Sequence, residues 1–295
     1  MRFWNHTKTA LLLGSLMGLC MLVGHLLGGA NGLLLGLMFG GIGNVIAYFF
    51  SDKIALASMG AQPVSREQLP WLHAMIERLS ERAGIPTPRI YVCPQDAPNA
   101  FATGRNPANS AVAITEGMLR NFPREEIEGV MAHEIGHIRH RDVLISTIAA
   151  VMAGMLSYAG YMLMFMGGGN NRENQSPLGA VGALVAVIVA PVAAMIIQMA
   201  ISRQREYAAD SFAGELCGDP RRLAYALQRL EAGNARVPTE TNPSYNSLFI
   251  VAPLSGRGMA SLFSTHPPTQ KRIAALLEQA ERMEQSGRRT SAAWA

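Results

Sequence analysis

Within His133-Glu134-Ile135-Gly136-His137, residue type and spacing together specify chemistry. On a helix, residues four apart share a face, so His133 and His137 bring two imidazoles to one point, where Zn²⁺ takes nitrogen donors. Glu134, one position along, reaches beside such an ion and can take a proton from water that the metal acidifies. This is the H-E-x-x-H arrangement of zinc hydrolases. The alternative is a surface helix with two solvated histidines, and the surroundings of the motif count against it.

The chain that must position these groups is unusual in composition. Its 295 residues are 49% hydrophobic and only 16% charged, where a soluble enzyme carries about a quarter charged residues. The deficit falls in blocks, which points to a membrane protein with a water-soluble part of roughly half the chain. Net charge is +4, but the basic residues are scattered without a Lys/Arg run, so nucleic-acid binding has no support. Cys20, Cys93 and Cys217 are odd in number and form no C-x-x-C pair, which argues for a reducing compartment and against a disulfide framework.

Four parts follow in order. Residues 1–52 read as an N-terminal transmembrane hairpin, two uncharged stretches about a Gly-Gly-Ala-Asn-Gly turn, with a cleaved signal peptide as the alternative. Residues 53–142 read as soluble: a helix from Ser65 to Ala83 opened by a Ser65/Gln68 capping box, then strands at Arg89–Cys93, Asn99–Gly104 and Ser110–Thr115. Pro123 and the acids after it start the helix that carries the zinc motif. Residues 143–201 read as a second transmembrane hairpin, and 202–295 as the remainder of the water-soluble part. That last part holds helices at about 202–217, 220–232 and 268–286 and a loose tail from Ser286, with no role assigned to 233–262. The fold expectation is mainly α with a small β-sheet, a zinc hydrolase domain built onto four transmembrane helices. Arg2, Lys8, Lys53, Arg139, Arg141, Arg203 and Arg205 fall on one side of these spans and Arg172 on the other, which places both termini and the zinc motif in the cytoplasm.

A catalytic zinc takes three protein ligands and keeps a fourth position open. The second hairpin returns the chain to the motif's side, and the first helix to re-emerge carries Glu206 and Asp210 on one face. Glu206 is the third ligand on this reading, and Asp210 orients a ligand imidazole through its other N–H. A pair of acids in a charged segment beside the membrane is the plainer alternative. His140 lacks the rest of a three-histidine pattern, and Asp142 sits at the expected lipid boundary.

HEIGH at 133–137, SRQREYAAD at 202–210, NAFATG at 99–104 and THPPTQKRI at 265–273 together resemble the HtpX family of bacterial membrane-embedded zinc endopeptidases. The resemblance covers nearly the whole chain. It implies a gluzincin-type zinc protease domain with one Zn²⁺ per chain on His133, His137 and Glu206, with Glu134 as base and His266 as a donor to the oxyanion. It further implies that Arg272 anchors Asp210, and that Asn99, Ala100 and Phe101 lie on an edge strand beside the substrate cleft. From the residues alone, the strands could equally be a plain meander and His266 a turn residue before Pro267-Pro268. The partners implied are membrane-protein and peptide substrates and the lipid bilayer, with self-cleavage left open. The site implied is the bacterial inner membrane, in stress response and protein quality control. The rival class is a non-enzymatic scaffold whose zinc is closed by a fourth ligand, His140 or His266.

Overall fold

The structure, a computed structural model, describes residues 52–142, 203–234 and 267–292, together with 14, 17–18, 21, 25, 29–38, 41–42, 45–46 and 49–50. Among these, no helix is long and apolar enough to cross a membrane. The expected second hairpin, 143–201, lies outside the described residues, as do His266, the stretch 235–265 and much of 1–51.

Four strands form one sheet: β1 (Gln62–Pro63), β2 (Arg89–Cys93), β3 (Ala100–Asn106) and β4 (Asn109–Thr115), in spatial order β1-β2-β4-β3. β2 and β4 run parallel, while β3 folds back on β4 antiparallel with Ala100 opposite Ile114 and Ala102 opposite Val112. β3 is therefore an edge of the sheet. Alternation along it splits the side chains. Ala100 and Ala102 join the main core, and Phe101 packs on the other face with Leu56, Met59 and Cys93.

Helix α1 (Pro70–Ala83) begins later than the capping box suggests. Gln68 does reach back to the Ser65 N–H at 2.8 Å, but Pro70 has no N–H with which to continue a helix begun at Ser65, so the regular helix starts there. Thr115 caps the short helix α2 (Glu116–Asn121) by accepting from the Met118 N–H. Helix α3 (Arg124–His140) carries the zinc motif through the middle of the molecule, with Val130, Met131, Ala132, Ile135 and Ile138 all buried. Around it stand β3, α1, α4 (Arg203–Cys217) and α5 (Arg221–Asn234). The last helix, α6 (Thr269–Ala292), packs on α4 and α5 and runs past Ser286, where a loose tail is expected from the sequence. With no proline and one glycine between Ser286 and Ala292, nothing in that stretch stops it.

Two glycines set the spacing around α3. A Cβ on Gly129 would stand 2.6 Å from the Leu223 backbone nitrogen, so α5 crosses α3 at backbone contact. At Gly136, inside the zinc motif, Phe212 and Ala209 of α4 close in. That approach brings Glu206 to the two histidines.

Candidate metal centre

The Nε2 atoms of His133 and His137 face each other at 3.1 Å. Glu206 closes the group from α4, with Oε1 3.4 Å from His137 Nε2 and Oε2 3.8 Å from His133 Nε2. Among the described residues these three could hold a metal ion between them. Two nitrogens on a tetrahedral zinc stand about 3.3 Å apart, so the spacing fits.

A carboxylate stands behind each imidazole. Asp210 Oδ1 lies 2.9 Å from His133 Nδ1, and Asp142 Oδ2 lies 3.5 Å from His137 Nδ1. A carboxylate beside each Nδ1 favours the tautomer protonated there, which directs both Nε2 lone pairs at the shared point. An arginine backs each acid. Arg272, buried at 1% exposure, holds Asp210 with Nε at 2.8 Å and Nη2 at 2.7 Å. Arg205 Nη1 lies 3.5 Å from Asp142.

Electrostatics agree with a divalent cation. Four carboxylates (Glu134, Asp142, Glu206 and Asp210) face two guanidiniums (Arg205 and Arg272), which leaves the charge of one divalent ion unmatched. Without metal, protons make up the difference. Burial opposes a charged His137, but Glu206, Asp142 and Glu134 outweigh it and raise its pKa to about 10. Burial lowers that of His133 despite Asp210. Burial raises the Glu134 carboxyl to about 7, with His137 opposing and Glu206 adding. Burial also opposes the charge on Asp210, yet Arg272 holds it down at about 2.

The sequence-derived residues His133, Glu134, His137, Glu206, Asp210 and Arg272 meet at one place. Glu134 accepts from the backbone N–H of Ala102, so β3 borders the site. Thr115 N–H donates to the Asn99 carbonyl at 2.9 Å. The antiparallel alternation then points the main chain of 101 and 103 toward β4 and that of 100 and 102 to the open edge. Of the three residues expected to touch substrate, Ala100 presents its backbone outward. Asn99 and the Phe101 side chain are buried. His140 packs edge-on against Phe212, away from the metal group. Cys93 and Cys217 stand apart from it as well, their thiols pushed up to about 12 by burial.

Sequence reasoning missed Asp142 and Arg205. Asp142 reaches His137 because Arg141 ends α3 in the left-handed region, φ 61, and turns the chain back. Arg141 carries a full side chain, and no glycine marks that turn in the sequence. The one signal the sequence carries is their opposite charges, one on each side of the expected second hairpin.

Known proteins resemble this chain along most of its length. The model of peptidase family M48 matches residues 65–280. A protein named "Protease HtpX homolog" from Persephonella marina is 50% identical over 285 residues, 94% of this chain and 99% of its own. One of the same name from Sulfurihydrogenibium is 48% identical, covering 95% of this chain and 98% of its own. In fold, the crystal structure of S. mikatae Ste24p aligns with TM-score 0.51 at 19% identity, over 93% of this chain and 66% of that one.

Proposed function

Since this chain belongs to peptidase family M48 and its role is that of a protease, we propose that it is a zinc-dependent integral-membrane endopeptidase. On this reading it cleaves cytoplasmic regions of membrane proteins, in the service of membrane-protein quality control. The observation that carries the reading is the convergence of two imidazole Nε2 atoms and a Glu206 carboxylate, with an unligated carboxylate, Glu134, beside them.

His133, His137 and Glu206 would hold the ion, which when bound supplies Lewis acidity at the position they leave open. Asp210 and Asp142 keep the two rings in the tautomer that ligation needs. Glu134, shielded from bulk water and steadied by the Ala102 amide, takes the proton of the attacking water and hands it to the departing amine. An extended peptide pairs with the open edge of β3 at Ala100, which lays its carbonyls along the metal side of the sheet. The family resemblance assigns His266 as a donor to the oxyanion.

Large exposed apolar side chains support the membrane reading. Among the described residues nearly all of them lie between Leu34 and Phe50, several more than half exposed, a surface that lipid would cover. Cleavage of a membrane protein in reconstituted vesicles tests this part. An enzyme that cuts soluble peptides and never a membrane protein would overturn it.

The central test is casein cleavage in detergent with zinc, comparing wild type with Glu134→Ala at equal zinc loading. The wild type should cut and the variant should keep its zinc while losing roughly 10²–10⁴-fold in rate. If both hold zinc and neither cuts, the site is structural.

A further inference from the structure

Asp142 touches His137 twice. Its N–H donates to the His137 carbonyl at 3.0 Å, and its carboxylate stands 3.5 Å from His137 Nδ1. The turn that allows this is made by Arg141, the one non-glycine residue with positive φ among those described. A conformation that L side chains adopt reluctantly is thus maintained where it delivers a carboxylate to a ligand ring. On its far side Asp142 meets Arg205, one residue before Glu206. Both side chains are largely shielded, at 10% and 17% exposure.

We propose that Asp142 and Arg205 form a positioning pair that sets the orientation of His137, as Asp210 and Arg272 do for His133. The proposal rests on the metallopeptidase reading above and deepens it. Arg205 adjoins one ligand and Asp142 holds another, so a single ion pair ties the α3 half of the site to the α4 half. It also joins the two ends of the stretch 143–202 in sequence.

The test measures zinc affinity of the full-length, detergent-solubilised chain by chelator competition, alongside kcat and KM for a casein-derived peptide. Asp142→Ala should weaken zinc about 10–100-fold and lower kcat with little change in KM. Asp142→Asn, which keeps an oxygen for the Nδ1–H, should lose less. The reversed pair, Asp142→Arg with Arg205→Asp, separates positioning from mere tying of the chain. It restores the ion pair but leaves His137 Nδ1–H without its acceptor, so zinc should stay as weak as in Asp142→Ala. Wild-type affinity in Asp142→Ala, or its recovery in the reversed pair, would overturn the proposal. If Asp142→Ala does not fold, Asp142→Asn against the reversed pair makes the same comparison. A wild-type chain that holds no zinc would instead bring down the metallopeptidase reading itself.

Discussion

Arg272 grips Asp210 through two parallel hydrogen bonds, 2.7 and 2.8 Å, with both side chains cut off from water. Asp210 Oδ1 in turn lies 2.9 Å from His133 Nδ1, so one guanidinium on the last helix steadies an imidazole on the central one. Arg272→Ala would strand a buried carboxylate, which costs about 3–5 kcal/mol. The expected result is a clear drop in the urea midpoint of the detergent-solubilised chain, with Arg272→Lys recovering only part. An unchanged midpoint in Arg272→Ala would mean that water reaches Asp210 after all.

Zinc uptake should depend on pH in a definite direction. In the metal-free chain His137 stays protonated up to about 10, because Glu206, Asp142 and Glu134 outweigh the effect of burial. Below that value each ion bound must displace that proton. Affinity should therefore fall about tenfold per unit as pH drops from 8 to 6, with about one proton released per zinc in weak buffer. A flat profile would show that His137 is already neutral before metal arrives.

The two glycines of α3 should differ in their tolerance of alanine. At Gly129 the new methyl meets Leu223 backbone at 2.6 Å, and backbone cannot step aside. The helix gains about 1 kcal/mol of propensity from the exchange, but overpacking of about 1–3 kcal/mol should win. At Gly136 the nearest atom is Phe212 Cδ1 at 3.1 Å, a side chain that can turn. Thermal unfolding should show Gly129→Ala destabilised and Gly136→Ala near neutral. The reverse order would contradict this packing.

Arg141→Gly should stabilise the fold by about 0.5–1 kcal/mol, since glycine relieves the left-handed strain at φ 61 and gives back part of the gain as chain entropy. Zinc affinity should be unchanged, because the turn that delivers Asp142 is kept. Loss of stability would show that the Arg141 side chain contributes more than its backbone costs.

What the sequence made legible here was local. The spacing of His133 and His137, and of Glu206 and Asp210, is a property of one helix turn, and those two helices form where the letters put them. Arg89–Cys93 was legible as a strand for the same reason. Order within the sheet was not, because the parallel pairing of β2 with β4 leaves no mark on either segment. The two residues of β1 are too few to show a period. Arg272 came from family likeness, since nothing in THPPTQKRI says that its arginine is buried. Asp142 escaped because its position depends on the backbone angle of Arg141.

The Arg272–His133 contact spans 139 positions of chain. At about 5–20 residues per second, a ribosome that has finished His133 needs on the order of ten seconds more to reach Arg272. Through that interval the nascent chain carries its H-E-x-x-H segment without the guanidinium that steadies His133 through Asp210. The metal site is therefore completed only near the end of synthesis, and a chain cut short before Arg272 should hold zinc more weakly than the full chain.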